Sequence, residues 1–290
     1  MGFERFMRIA IEEAEASLRE GNNGFGAVIV KDAELIASSH DREVSEGDPT
    51  SHAEMNAIRE ASRKLGKKLY GCILISTHQP CPMCASAAVW SGITAVSYGC
   101  SIKQTLSQGR KRMDIPCTQI FNRAGAGIKV YDGILNSECS ILYRDDVRSE
   151  IKRLRNADDN RLREYNEESA RKRTAWFQEN KARFGFISSD LLDSSYRLLL
   201  ERFDITPDEA PIVHKTADRI VFHSKNFCPT LEACRLLGLN TRHVCRLINE
   251  NSTDILLKQL DKKLCFSRNY DKLRPYEAYC EEMISISNES

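Results

Sequence analysis

Two short stretches of this chain hold residues with the types and spacing to do chemistry: His52-Ala53-Glu54 and Pro80-Cys81-Pro82-Met83-Cys84. A Cys-x-x-Cys at a helix start points two sulfurs at one place, and the positive end of the helix favours their thiolate forms. A histidine at the start of a neighbouring helix can supply a third donor. Two thiolates, one imidazole and an open fourth position make a tetrahedral zinc site of the catalytic kind, not the closed structural kind. Glu54 is not needed as a ligand. It follows the histidine by two residues and would stand beside a water at the open position. Taken alone, Cys-x-x-Cys serves redox chemistry or simple packing as readily as metal, so the histidine half carries much of the inference.

These donors need elements to hold them. Phe3, Phe6, Met7, Ala10, Ala14 and Leu18 recur at helical spacing and predict an amphipathic first helix, ended by Asn22-Asn23-Gly24. GAVIVKDAELIASS reads as two strands, residues 27–30 and 34–38, joined by a hairpin turn at Lys31-Asp32-Ala33. Thr50 or Ser51 can cap a helix running through HAEMNAIREASRKLG to a stop at Gly66. CILIST and ITAVSYG are buried strands, with a helix starting at Pro80 between them. The alternation of strand and helix specifies an α/β layer fold.

His-x-Glu followed at a distance by Pro-Cys-x-x-Cys is the known signature of zinc-dependent deaminases. Through GFGAVIVKD, DPTSHAEMNAIREA and PCPMCASAAVWSGI, residues 1–144 resemble the cytidine/nucleobase deaminase superfamily, closest to its nucleoside- and guanine-deaminase-like branch. The resemblance implies a three-layer α/β/α domain around a five-stranded mixed sheet, Zn2+ as cofactor, and a homodimer or higher homo-oligomer. It assigns His52, Cys81 and Cys84 as metal ligands and Glu54 as the catalytic proton carrier. The implied reaction is zinc-dependent hydrolytic deamination of a small amino-substituted heterocycle, a free nucleobase or base-like compound, releasing ammonia.

The resemblance also suggests substrate contacts at Phe25, Asp41, Ala53, His78 and Trp90. Phe25 would lie against the base. Trp90 matches an aromatic pocket position of guanine-deaminase-like proteins, where tRNA-editing relatives carry a His-Ser-Arg stretch. Asp41 is a departure, because relatives usually have asparagine there. An amide both donates and accepts, whereas an ionised carboxylate accepts only, so Asp41 predicts a substrate edge presenting N–H donors. The competing role for Asp41 is to cap the turn that follows it. Arg110-Lys111-Arg112, in a loop after the third buried strand, could approach an anionic substituent or RNA, although such runs are usually solvated.

Beyond Asp145 charge dominates. Residues 145–186 are expected to form a charged helical connector, and 187–290 a small α+β domain with a helix near residues 191–200 and a strand at 219–223. TLEACRLLGLNTRHVCRLI has a loose helix-turn-helix spacing. Lys and Arg total 42 against 41 Asp and Glu, a net charge of +1 that excludes a generic polycation and counts against a nucleic-acid partner. No apolar run approaches the roughly 18–20 residues of a membrane helix. Eleven cysteines, an odd number in a long chain without a secretory-type N-terminus, argue against a disulfide framework and for a cytoplasmic protein. Two other readings compete with the small-molecule deaminase: tRNA adenosine deamination, and a regulatory or binding protein built on the deaminase scaffold. Glu54 counts against the second, since a scaffold needs the ligands but not the proton carrier.

Overall fold

The computed structural model describes residues 2–287, which divide into two compact units between Lys152 and Arg153. The first unit runs α1 (Phe3–Arg19), β1 (Gly26–Lys31), β2 (Glu34–His40), α2 (Glu43–Glu46), α3 (Ala53–Leu65), β3 (Cys72–His78), α4 (Pro82–Ser91), β4 (Ala95–Cys100), α5 (Ile102–Ser107), α6 (Cys117–Arg123), β5 (Lys129–Tyr131), α7 (Asn136–Ile141) and α8 (Asp145–Leu154). Its sheet has the order β2-β1-β3-β4-β5. β1 is antiparallel to β2 and β3, and β3, β4 and β5 are parallel. This is the mixed five-stranded sheet of the cytidine-deaminase-like fold. Asp32 and Ala33 take positive φ in the hairpin turn, the geometry a two-residue connection between twisted strands requires.

Alternation along the strands separates two cores. Ala27 and Ile29 of β1 and Cys72 and Leu74 of β3 pack with Ala53, Ala57, Ile58 and Ala61 of α3. On the other face of β1 lies α1, so close that a Cβ on Gly26 would sit 1.9 Å from the Ala10 carbonyl oxygen and 2.6 Å from the Ala14 nitrogen. Glycine is therefore required at the first residue of β1, beside Phe25.

Several boundaries shift from the sequence reading. Pro82, not Pro80, opens α4, because Cys81 occupies the N-cap in an extended conformation. His52 likewise holds the N-cap of α3, and Thr50 and Ser51 stand outside the helix. β5 has three residues, too few for a readable alternation.

In the second unit, α9 (Asp159–Asn180), α10 (Leu191–Phe203), α11 (Pro229–Leu237), α12 (Thr241–Ile248) and α13 (Glu250–Leu257) accompany an antiparallel sheet. Its strands are β6 (Ile212–Lys215), β7 (Arg219–Ser224), β8 (Leu264–Arg268) and β9 (Cys280–Ile286), in the order β6-β7-β9-β8. The division at residues 152 and 153 departs from the expected connector over 145–186. α9 buries Leu162, Asn166, Ala170, Arg173 and Phe177, and it packs against α12 and α13 within this unit. Its buried stripe is interrupted by Asn166 and Arg173, which is why it reads as an exposed charged helix. Arg173 is satisfied internally, by Ser252 Oγ at 2.8 Å and Thr253 Oγ1 at 2.7 Å. α11 and α12 are joined through Gly238 in the left-handed region. Val244, Cys245 and Ile248 of α12 are buried, and Arg242 and Arg246 lie over the rings of Tyr276 and Tyr270.

At the end of β2, His40 is buried between Glu13 of α1 and Glu20 at the helix C-cap, with Nδ1 2.7 Å from Glu13 Oε2 and Nε2 3.0 Å from Glu20 Oε2. The bond to Glu13 holds the His40 imidazolium above its ordinary pKa of 6.5, and the same bond holds Glu13 below 4.5. His40 thus stabilises the fold fully below about pH 6.5, and that contribution is lost as pH rises through the raised value. Glu13 contributes above about pH 4.5, and its share is lost as acid takes the pH down through the lowered value. The melting temperature of wild type should exceed that of His40→Gln most between these limits. Scans over a pH series should show the gap closing toward alkaline pH; a gap constant with pH would remove the charged bridge. For Gly26→Ala, urea denaturation should show a loss of about 3 kcal/mol or more, since helix backbone must move. Unchanged stability would mean that α1 is not held against β1.

Candidate active site and metal centre

β2 leads into α3 and β3 leads into α4, and the two helix starts meet. His52 and Cys81, each an N-cap, and Cys84, in the first turn of α4, bring three donor atoms together. Cys81 Sγ lies 3.6 Å from both His52 Nδ1 and Cys84 Sγ, and Cys84 Sγ lies 3.5 Å from His52 Nδ1. A tetrahedral zinc with Zn–S of about 2.3 Å and Zn–N of about 2.0–2.1 Å has edges of about 3.8 Å between sulfurs and about 3.5–3.6 Å between sulfur and nitrogen. The triangle matches those edges, and two sulfurs with one imidazole are the donors zinc prefers. The residues fit the metal. Among the described residues this is the one three-donor group of His, Cys, Asp and Glu, and the five cysteines of the second unit form none.

The electrostatics agree with a thiolate-forming site. The neighbouring Cys84 thiol, and after it His52, lower the Cys81 thiol to about 4 against the cost of burial. The Cys81 sulfur in turn raises His52 to about 9. Cys84 is pushed well above the usual thiol range by its bond to Cys81 and by burial. Glu54, in the first turn of α3, is buried; Oε2 lies 3.5 Å from Cys84 Sγ, and Oε1 accepts from Ser76 Oγ at 3.3 Å. Desolvation raises its proton affinity, and the negative sulfur of Cys81 adds to this.

A cleft open to solvent contains His52, Glu54 and Cys81 together with Phe25, His78 and Arg112. Phe25 stands here as expected, but within a stack: its ring lies 5.1 Å from that of Tyr143 at an interplanar angle of 25°, beneath the Arg112 guanidinium. His78 meets Phe25 edge to face. Burial pushes the His78 imidazolium down to about 3, so the ring is neutral. Its Nδ1 lies 2.8 Å from the Gln79 carbonyl and its Nε2 3.0 Å from Thr105 Oγ1. Both nitrogens are thus engaged, and His78 offers the cleft a ring surface.

The other expected contacts fall elsewhere. Ala53 is fully buried in the core beneath α3 and does not line the cleft. Trp90 does not line it either; it sits at the far end of α4 with 78% of its surface exposed. Two turns of helix separate it from the cysteines, so a match of position in the motif does not carry it to the substrate. It therefore offers no argument against an RNA substrate. Asp41 is buried beside the site and acts on the charge of His52. Its Oδ1 accepts from the Asn23 N–H at 3.1 Å, across the preceding loop and not from the turn that follows. Its Oδ2 is buried without a hydrogen-bond partner. Sequence reasoning passed over Gln79, Ile102, Glu43 and Met113 in the cleft, since none belongs to a motif. Gln79 locks the site to α5 by accepting from the Ile102 N–H at 3.0 Å.

Residues 3–100 match the family described as the cytidine and deoxycytidylate deaminase zinc-binding region. A tRNA-specific adenosine deaminase of Aquifex aeolicus is 44% identical over 99 residues, 34% of this chain and 66% of the relative. A guanine deaminase of Bacillus subtilis is 43% identical over 100 residues, 34% of this chain and 64% of the relative. A tRNA-specific adenosine deaminase of Bacillus subtilis is 36% identical over 137 residues, 47% of this chain and 83% of the relative. The chain thus spans slightly under two thirds of the first two relatives and most of the third. Their names divide between an RNA and a free base, so kinship leaves the substrate open. No helix among the described residues is long and apolar enough to cross a membrane. With the sequence match, the mixed sheet and the donor triangle in agreement, this chain belongs to the cytidine and deoxycytidylate deaminase zinc-binding family.

Proposed function

We propose that this protein is a hydrolytic deaminase of a small amino-substituted heterocycle, with zinc held by His52, Cys81 and Cys84. One observation carries the reading: a buried carboxyl, Glu54, stands 3.5 Å from the Cys84 sulfur in a cleft that opens to solvent beside the three donors. A zinc-binding scaffold has no use for such a group, whereas a hydrolytic site needs a proton carrier.

Zinc, when bound, lowers the pKa of a coordinated water toward neutrality. Glu54 handles the protons. It accepts one as water adds to the ring carbon bearing the amine and delivers it to the adjacent ring nitrogen, then accepts the proton of the added hydroxyl and passes it to the departing nitrogen. The C–N bond breaks, ammonia leaves, and the carbon keeps the oxygen as a carbonyl. Ser76 orients the Glu54 carboxyl by donating to Oε1. Phe25, His78 and Ile102 give the ring an apolar wall and displace bulk water. Asp41 supports the substrate reading through its unpartnered Oδ2. A buried acceptor without a donor costs about 1–3 kcal/mol, which an N–H on the substrate edge offsets.

Glu54→Gln should keep fold and zinc, with ammonia release from the productive substrate reduced by about a thousandfold or more. Metal content and steady-state turnover measured on one preparation check both halves; near-normal turnover would sink the assignment. Asp41→Asn should change the ratio of kcat/KM between heterocycles presenting N–H donors and those presenting acceptors by about tenfold or more. A panel of aminopurines, aminopyrimidines, aminopterins and aminotriazines, run beside a tRNA, supplies the comparison. Identical ratios in wild type and variant would take Asp41 out of recognition, and activity on tRNA alone would overturn the small substrate.

A further inference from the structure

Arg112 lies on the loop between α5 and α6 and lines the cleft that holds Glu54. Its guanidinium covers the Phe25 ring, 4.8 Å from the centroid. Stacking uses the flat face of a guanidinium and leaves the N–H groups at its edge available. Two of those edge atoms, Nε and Nη2, are buried and have no hydrogen-bond partner in the protein. Arg110, two residues earlier, lies over both Phe25 and Tyr143 at 5.7 and 5.6 Å, and its Nη1 is buried and unpartnered as well. Elsewhere among the described residues, unpartnered arginines lack a partner at a single atom, Nε. Arg112 alone leaves two donors, and its side chain lines the cleft.

We propose that Arg112, backed by Arg110, binds an oxyanion on the substrate, so that the heterocycle deaminated here carries a carboxylate or phosphate group. The inference rests on the deaminase reading and narrows its substrate class. Charged donors buried without acceptors are costly, and a substrate oxyanion satisfies them with charge-assisted bonds, the planar fork of Arg112 matching a carboxylate or phosphate in two-point contact. Local charge favours the same ligand. Burial, then repulsion from Arg148 and Arg112, lowers Arg110 to about 10, with Asp145 opposing weakly. The two acids in the cleft are committed elsewhere: Glu54 to Ser76 and Cys84, and Glu43 to Asn23 Nδ2 at 3.0 Å. The unpartnered cationic donors thus lie on the Phe25 stack, and neither cleft acid is free to pair with them.

Matched probes test this on the zinc-loaded full chain. Cytosine-5-carboxylate is compared with cytosine-5-carboxamide, pterin-6-carboxylate with its amide, and cytidine 5′-monophosphate with cytidine. The phosphate and carboxylate arms separate the two oxyanion sources. Wild type should favour the anionic member of at least one pair by about 10- to 100-fold in kcat/KM. Arg112→Gln should erase that preference, and Arg112→Lys should recover part of it. Calorimetric binding of the same pairs to wild type and Arg112→Gln gives a readout independent of turnover. Ammonia release with no preference for the anionic member overturns the oxyanion subsite and leaves the deaminase reading standing. Arg112-dependent binding of the anion without ammonia from any compound upholds the subsite and overturns the reaction. Equal binding of both members of every pair by wild type and variant overturns the proposal outright.

Discussion

Three donor atoms must stand about 3.5–3.6 Å apart, and the rest of the first unit is arranged around that requirement. Like charges at this distance repel strongly in a partly buried site, so the triangle cannot hold itself together when all sulfurs ionise. Two helix N-termini hold it. α3 and α4 start at the same edge of the sheet because β2 and β3 both end there, and their positive ends face the sulfurs. β1 lies between those strands and is clamped by α1, whose backbone approaches Gly26 too closely for any side chain. An error of 1 Å in that clamp reaches Phe25 directly, and it reaches the metal donors through the neighbouring strands.

The chemistry was legible in the sequence to the extent that it resides in helix starts. Polar capping residues, a proline near a helix start, a glycine C-cap and apolar strands of normal length are local signals, and they located α3, α4 and β1 through β4 to within a residue or two. The turn at Asp32 and Ala33 was readable as well. Beyond such signals the reading lost its footing. Trp90 matched a motif position, but which way a side chain points at the end of α4 is decided by packing. α9 read as a solvated connector because Asn166 and Arg173 break its apolar stripe, although both are satisfied by residues some eighty positions later in the chain. The cleft residues from loops were illegible for the same reason. Arg112 belongs to no period, and a run of basic residues in a loop ordinarily faces water. Nor could any local rule join the Asn23 amide to Asp41.

The eleven cysteines sort by environment more than by number. Cys81 and Cys84 have each other and His52 as partners, and the charge sits on Cys81; Cys72, Cys100, Cys117 and Cys139 are fully buried and behave as small hydrophobes, with burial raising their thiol pKa values. Thiolate character is concentrated on Cys81, the N-cap of α4. The near-zero net charge is equally uninformative until it is resolved in space, since acids and bases that cancel in the total do not cancel around Arg110 and Arg112.

The atoms that perform the hydrolysis and the atoms that select what is hydrolysed belong to different kinds of structure. The first are anchored to a sheet and two helix ends, where almost any substitution is felt. Arg110 and Arg112 sit on a connection between two short helices, where the backbone follows no repeating hydrogen-bond ladder and tolerates replacement. A lineage could exchange that loop and acquire a new ligand while inheriting the reaction unchanged. The same separation gives the protein engineer an address for altering selectivity that lies outside the metal centre.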